Sequence, residues 1–448
     1  MKKSHFLRII CLLLSCVFLF SSLSLAVSAN IFSEDLPSTD RAQNIYFANL
    51  DTGRVILRKD SGEKIAPAST VKIMTGLLAA EAFAKKKDTL ITISSEMLLD
   101  TVGTSIGLKE NDVITAEDLM YAAICGGYND AAYALAVAVS GSAEKFVTLM
   151  NQRAKKLEAR DTVYTNPTGW DDEAMHTTLT DTVLIARAAT ENEFYMTVSS
   201  AVAKKITIRN TSKELTVNNR NALIASHFAQ GYTNKYAEGL IAGMTDMGGH
   251  CVVTKAVIGQ ASYLCIVMGG EQDGENVYSF EIADDLIHHA RRNLGFVKVA
   301  DKGDVICKIP TENSMLPANS DNGSFYASAV LSDDVMAYMP LHADTASLTW
   351  KYYLYRDTLS APLEVGKRVG TVDFYYEGEI VASAPLTVSE NIPANEFLLF
   401  VESVREIITS RVFLISVLSF AILSGVYFLF FDRKINKKRA KRINYKNL

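Results

Sequence analysis

A serine and a lysine stand three residues apart in Pro67-Ala68-Ser69-Thr70-Val71-Lys72, at the head of the run VKIMTGLLAAEAF, whose apolar residues recur at helical spacing. Residues three apart are neighbours on a helix surface, so Ser69 and Lys72 share a face if the run is a helix. A serine hydroxyl attacks carbonyls weakly until a base takes its proton, and a lysine desolvated in a cleft loses enough basicity to serve. The positive end of a helix also favours the negative charge that develops on attack. The pair therefore has the makings of covalent acyl transfer. The same spacing also occurs at ordinary polar helix starts, so the surrounding elements decide between the two.

Those elements suggest a mixed α and β region over residues 36–295. NIYFANLDTGRVILRKD is expected to form a hairpin turning at Asp51-Thr52-Gly53, and CVVTKAVIGQASYLCIVMGG another turning at Gly259-Gln260. Between them NDAAYALAVAV and AEKFVTLMNQRAKKLEA read as helices, as does EIADDLIHHARRNL after the second hairpin. Gly141 is placed to end the first of these helices and Ser142 to cap the next. Early and late strands around a helical middle imply a sheet built from both ends of the domain and faced by helices. Residues 296–390 alternate in short runs such as GTVDFYYEGEIVASAPLTV and predict a second, all-β domain.

The two ends point to export and anchoring. Residues 1–29 open with Lys2, Lys3 and Arg8, continue apolar and close on Val27-Ser28-Ala29, the layout of a signal peptide cleaved after Ala29; a lipid-modified Cys16 is the less favoured alternative. Residues 391–411 form a mildly amphipathic spacer, which could also lie on a membrane surface. VFLISVLSFAILSGVYFLFF, residues 412–431, carries no charge and is long enough to span a bilayer as a helix. Residues 432–448 hold eight basic residues against one acidic, which predicts a cytoplasmic tail below a single-pass anchor, with the main domains outside. Without signal and tail the chain keeps 34 basic and 49 acidic residues, about −15, which argues against nucleic-acid binding. Cys125, Cys251, Cys265 and Cys307 have neither CxxC nor metal spacing, and a metal at His288 and His289 is not expected. No metal or cofactor is expected, and the thiols read as structural, with one disulfide at most.

TGRVILRKDSGEKIAPASTVKIMTGLLAAE, TSIGLKENDVITAEDLMYAAICGGYNDAAYALA, GSAEKFVTLMNQRAKKL and TVYTNPTGWDD followed by HTTLTD resemble, in order and spacing, the D-alanyl-D-alanine carboxypeptidases, the low-molecular-mass penicillin-binding proteins of bacteria. The resemblance covers residues 40–295 and continues in APLEVGKRVGTVDFYYEGEIVASAPLTV, similar to that family's carboxy-terminal domain. It implies a penicillin-recognising α/β (α+β) serine peptidase domain, helices on an antiparallel sheet, followed by a small sandwich-like all-β domain and a membrane anchor. It implies peptidoglycan stem peptides as substrates and β-lactams as ligands. The family's motifs are Ser-x-x-Lys, Ser-x-Asn and Lys-Thr-Gly. Ser69 would be the acylated nucleophile and Lys72 its base; Asn129 would belong to the second motif. Gly243 and Met244 would border the substrate, with the amides of Ser69 and Met244 as an oxyanion hole.

Two of the three motifs are degenerate. Gly127 stands where the resemblance expects the serine of Ser-x-Asn, and neither Tyr128 nor Cys125 is at its spacing. Ile241 and Ala242 replace the lysine and threonine of Lys-Thr-Gly, leaving an isoleucine expected to face the substrate's carboxylate. Two expectations follow: a Ser-Lys carboxypeptidase of the cell wall, or an impaired descendant that binds peptidoglycan or wall-synthesis partners. A β-lactamase is disfavoured by the second domain and the anchor. His176 and Asp181 are expected to order a loop, and Asn218, Asn219 and Asn221 to end a strand and make a turn.

Overall fold

The computed structural model describes residues 31–99, 101–315 and 325–444, so the proposed signal segment lies outside the described residues. The chain divides into two compact units: residues up to Val297 together with Tyr338–Asp344, and Lys298–Ala337 together with the chain from Thr345 onward.

In the first unit, strands β1 (Ala42–Asn49) and β2 (Val55–Lys59) make the early hairpin. Strands β3 (Ala237–Thr245), β4 (Gly249–Ile258) and β5 (Ala261–Gly270) come from the far end of the unit. Together they form one antiparallel sheet in the order β2-β1-β5-β4-β3, closed by pairing of Ala42 with Gly270 through Asn49 with Tyr263. β3 is thus an edge strand.

Helix α1 (Val71–Phe83) is buried on nearly every side, from Val71 through Leu77 and on to Phe83. A helix apolar all round belongs at the centre of a domain. Gly76 allows the tightest approach there, since a Cβ on it would lie 2.6 Å from Ile124 Cδ1 and 2.7 Å from Tyr195 Cε2. Around α1 pack α2 (Asn129–Ser140), α3 (Ala143–Lys156) and α4 (Leu179–Thr190). Gly141 ends α2 in the left-handed conformation (φ 86°), and the Ser142 hydroxyl caps α3 by accepting from the Lys145 amide. Helix α5 (Tyr278–Asn293) packs on β4 and β5 and buries Phe280, Ile282, Ala283 and Leu286. Cys125, Cys251, Cys265 and Cys307 are free thiols, the first three buried.

The second unit carries strands β6 (Val305–Glu312), β7 (Phe325–Leu331), β8 (Thr349–Leu354), β9 (Leu359–Ser360), β10 (Arg368–Tyr376) and β11 (Glu379–Val388). They form one sheet in the order β8-β10-β11-β7-β6-β9, antiparallel except for the short β6–β9 pair. The segment read as a spacer is a helix, α6 (Glu396–Thr409), started by the Asn395 carboxamide accepting from the Phe397 and Leu398 amides. It buries no residue, and Phe397 and Phe400 stand exposed. Helix α7 (Arg411–Asn444) follows; its stretch Arg411–Phe431, with a mean hydropathy of 2.4, is long and apolar enough to cross a membrane.

Candidate functional site

Ser69 sits in a single tight turn, Ala68–Thr70, that leads into α1. The turn is fixed by the Thr70 hydroxyl, which donates to the Pro67 carbonyl at 2.5 Å. Ala68 before it has φ 48°, a left-handed backbone that costs a non-glycine residue about 1 kcal/mol or more and tends to persist where the surroundings over-determine it. Those surroundings are visible in Gly169 (φ 77°), where a Cβ would come within 2.0 Å of the Ala68 carbonyl oxygen. The loop carrying Gly169 therefore presses directly on the serine's turn.

Lys72 lies one helical turn beyond Ser69 and is 1 % exposed. Its Nζ donates to the Thr168 carbonyl at 2.6 Å, and Thr75, one turn further, donates its hydroxyl to the Pro167 carbonyl at 2.7 Å. These bonds strap the 166–170 loop to α1. Burial, helped by the nearby charge of Arg220, lowers the Lys72 pKa from its ordinary value to about 7. Inside the loop the Asn166 carboxamide oxygen accepts from the Thr168 amide, the Thr168 hydroxyl and the Gly169 amide, and its Nδ2 donates to the Trp170 carbonyl. The carbonyl that holds Lys72 is thus set by a turn with little freedom to drift.

The opposite wall follows a helix that starts at Ala116 and widens to a π turn over Tyr121–Cys125 before Gly126-Gly127. Asn129, first residue of α2, donates Nδ2 to the Val102 carbonyl at 2.6 Å and its amide to the Thr104 carbonyl at 2.7 Å. Asp130 beside it is buried and accepts from the Ser105 hydroxyl and the amides of Ile106, Gly107 and Leu108. A carboxylate so supplied with donors holds the 102–108 loop against the cleft.

Ser69, Lys72, Gly127, Asn129 and Met244 all line one narrow cleft of about 60 Å³. Gly243 abuts it: a Cβ there would lie 2.4 Å from Ser69 Oγ. Ile241 is two residues back on the same face of β3, but it is 2 % exposed and packs into the hydrophobic core instead of lining the cleft. The expectation that Ile241 faces a carboxylate is corrected accordingly: an apolar side chain gains by burial below the cleft floor. Ala242 is equally buried. Cys125 donates its thiol to the Ala201 carbonyl, burial pushes its pKa up to about 12, and neither it nor Tyr128 lines the cleft.

The cleft contains a residue that the motifs do not mark. Arg220, from the 218–221 stretch, reaches in with Nη1 3.4 Å from the Thr104 hydroxyl and its guanidinium 4.9 Å from the centroid of the Phe228 ring. A Cβ on Gly127 (φ 69°) would lie 3.0 Å from Arg220 Cδ. The arginine stem therefore borders the place where a side chain at 127 would begin. The neighbouring asparagines support it: Asn219 donates to the carbonyls of Ser199 and Ala201, and Asn221 to that of Gly239. A lone cation inside an asparagine-rich turn is the signal that would have found Arg220 in the sequence. We expect Gly127→Ser to lower stability by about 1 kcal/mol, seen as a fall in Tm of a few degrees, because serine must take the left-handed backbone and displace the Arg220 stem. His176 contacts Lys64, and buried Asp181 accepts from the Asp161 amide and the Thr162 hydroxyl; neither lines the cleft.

The chain matches a family model described as D-alanyl-D-alanine carboxypeptidase over residues 31–272, and one described as penicillin-binding protein 5, C-terminal domain, over residues 296–394. Among curated proteins it is 26 % identical over 370 residues to the D-alanyl-D-alanine carboxypeptidase DacF of Bacillus subtilis, covering 81 % of this chain and 88 % of that one. It is 27 % identical over 394 residues to the D-alanyl-D-alanine carboxypeptidase DacD of Escherichia coli, with coverage of 82 % and 95 %. Among solved structures, penicillin binding protein 5 from Haemophilus influenzae superposes with a TM-score of 0.58 at 22 % identity, covering 80 % of this chain and 99 % of that one. A peptidoglycan synthesis regulatory factor (PBP3) from Streptococcus pneumoniae superposes at 0.60 and 19 % identity, covering 79 % and 100 %. These structural likenesses show the fold.

Proposed function

The chain belongs to the D-alanyl-D-alanine carboxypeptidase family, and from that premise we propose that Ser69 is an acylatable nucleophile, with Lys72 as its base, acting on peptidoglycan stem peptides. The observation that carries this reading is Lys72: a buried amine with its pKa lowered to about 7, in one cleft with the serine hydroxyl. Such an amine is half deprotonated near neutrality and suited to take a proton. Ser69 Oγ attacks the peptide carbonyl, its proton passes to Lys72 Nζ, and the oxyanion rests on the backbone amides of Ser69 and Met244. Collapse expels the terminal amino acid with the returned proton, and water then hydrolyses the ester. The ligand's carboxylate is held by Arg220, which takes over the electrostatic part that Ile241 and Ala242 cannot play. Asn129 and Gly243 border the acyl group.

We place these domains outside the cytoplasmic membrane, anchored by Arg411–Phe431, with the basic tail inside.

A second reading is favoured by Gly127, Ile241 and Ala242: without a hydroxyl at 127 and the polar pair on β3, the cleft binds stem peptides and turns over slowly or not at all. The deciding experiment is mass spectrometry of the full-length protein after incubation with a penicillin, alongside an assay for release of D-alanine from a stem pentapeptide. A penicilloyl adduct on Ser69, lost in Ser69→Ala, together with D-alanine release supports the enzyme. An adduct without release supports the impaired descendant, and the absence of an adduct sinks the Ser69 mechanism.

Arg220→Ala is expected to slow acylation by carboxylate-bearing ligands about 10- to 100-fold, from the loss of one charged hydrogen-bonding partner. It should also move the pH midpoint of acylation upward, because the Arg220 charge helps to depress the Lys72 pKa. Acylation rates measured between pH 5 and 9 check both effects.

A further inference from the structure

The six-stranded sheet of the second unit ends differently on its two sides. One edge is β9, two residues long and so too short to recruit another strand. The other is β8, which reads Thr-Trp-Lys-Tyr-Tyr-Leu and carries a single charge, Lys351. Its backbone is half used. β8 pairs with β10 from Thr349 with Tyr375 to Leu354 with Gly370, and just past the strand the Tyr355 amide donates to the Val369 carbonyl at 3.0 Å. Hydrogen-bonded and non-bonded pairs alternate along an antiparallel ladder. Thr349, Lys351 and Tyr353 therefore bond inward to β10, while the amides and carbonyls of Trp350, Tyr352 and Leu354 point out from the edge. Among the described residues no strand pairs with them.

The side chains are as unfinished as the backbone. Trp350 and Tyr352 lie opposite Phe374 and Val372, which are 4 % and 0 % exposed, yet they are themselves 55 % and 47 % exposed. Residues directly opposite share a face of the sheet, so both rings belong to the core side and overhang its end. On the other face Lys351 leans back, its Nζ 5.5 Å from the centroid of the Tyr375 ring, and Tyr353 stands exposed beside it. Edges are ordinarily guarded by charge, proline or a covering segment. Here the one lysine is turned away from the edge.

We propose that this edge pairs antiparallel with the same edge of a second copy of this chain, about a two-fold axis at Tyr352, so that the two sheets become one. The register follows from charge and strand length. Centred on Tyr352, the pairing sets Tyr352 against its counterpart and Trp350 against Leu354, so every outward amide and carbonyl of the strand is bonded and apolar side chains meet on the core face. Lys351 then faces Tyr353 of the second copy, a ring that attracts a cation. A centre at Lys351 would set two like charges directly opposite, which is destabilising. A centre at Tyr353 would carry Trp350 past the end of the strand onto Arg356. One strand a side buries little area, so the association is weak and reversible.

The test is disulfide trapping of the full-length protein in detergent, with copper phenanthroline as oxidant, read by non-reducing electrophoresis and mass spectrometry of the linked peptides. Tyr352→Cys should give a dimer linked through position 352, because bonded pairs stand about 5.5 Å apart between Cα atoms, within disulfide reach. Lys351→Cys alone should give about tenfold less, since its counterpart lies on the diagonal at about 7–8 Å. Lys351→Cys mixed with Tyr353→Cys should link again. Adding Tyr352→Lys to both members of that mixture should cut the yield about fivefold by setting like charges at the axis, and its half-exposed position leaves the unit folded, with circular dichroism unchanged. Equal linking at 351 and 352, linking no greater than that of the unsubstituted chain with its native Cys307, or a yield untouched by Tyr352→Lys overturns the pairing. Ser69 takes no part, so a missing penicillin adduct leaves this outcome unaffected.

Discussion

Lys72→Ala is expected to slow acylation of Ser69 by a penicillin about 10²- to 10⁴-fold at neutral pH, the usual effect of losing a positioned base. The wild-type rate should itself rise with pH through about 7 and level off above, since a lysine pKa lowered to about 7 leaves the amine protonated below that value and free above it. In Lys72→Ala the inflection at that pH disappears. Stopped-flow measurement of acylation across the pH range checks both. A rate unchanged by the substitution would remove Lys72 from the mechanism. Loss of the inflection distinguishes a base from a merely structural lysine, because a packing role has no reason to track a titration near 7. A fall in Tm alone would mark lost support for the 166–170 loop, whose Thr168 carbonyl Lys72 holds.

Gly243→Ala is the second large effect. The added methyl would sit 2.4 Å from Ser69 Oγ and 2.6 Å from Ser69 Cβ, so either the serine turn or the edge strand must shift. Displacement of a reacting atom by about an ångström costs on the order of 10²-fold in rate. The turn has little room to yield, because Gly169 packs closely against the Ala68 carbonyl. Acylation should therefore fall about 100-fold or more, while far-ultraviolet circular dichroism, which reports the sheet, stays unchanged. An acylation rate close to wild type would show that β3 retreats from the serine easily.

The elements that hold the serine were legible because their signals are local. Val71–Phe83 follows from unbroken apolar character, the Gly141-Ser142 boundary from turn and cap chemistry, and the two hairpins from alternation around Gly-containing turns. Sheet closure by strands some 200 residues apart was legible only as a consequence of early and late strands needing partners. Arg220 was marked in the sequence only as a lone cation among turn asparagines, with nothing to place it in the cleft. It enters the cleft because Asn219 and Asn221 spend their side chains on distant carbonyls, and because Gly127, far off in sequence, leaves its stem unobstructed. Residues 218–221 by themselves read as a turn. Ile241 was misplaced for a related reason: its position in a motif sets which face of β3 it occupies, but depth along that face is decided by what packs beneath. Trp170 looks like a loop aromatic until Gly103 comes to lie against it.

A lysine that has lost its proton near neutrality is the amine that acylating and alkylating reagents ordinarily consume first. Here that amine is 1 % exposed and held on the Thr168 carbonyl, so a bulk reagent at pH 7 reaches the surface ammonium groups and leaves Lys72 intact. On the proposed reading, an electrophile drawn into the cleft by its carboxylate meets something else: a hydroxyl and a free amine on one helical turn, with Arg220 to orient it. A small inhibitor carrying two electrophilic centres could then stitch Ser69 to Lys72, and a bridge between two side chains would not be undone by hydrolysis of a single ester.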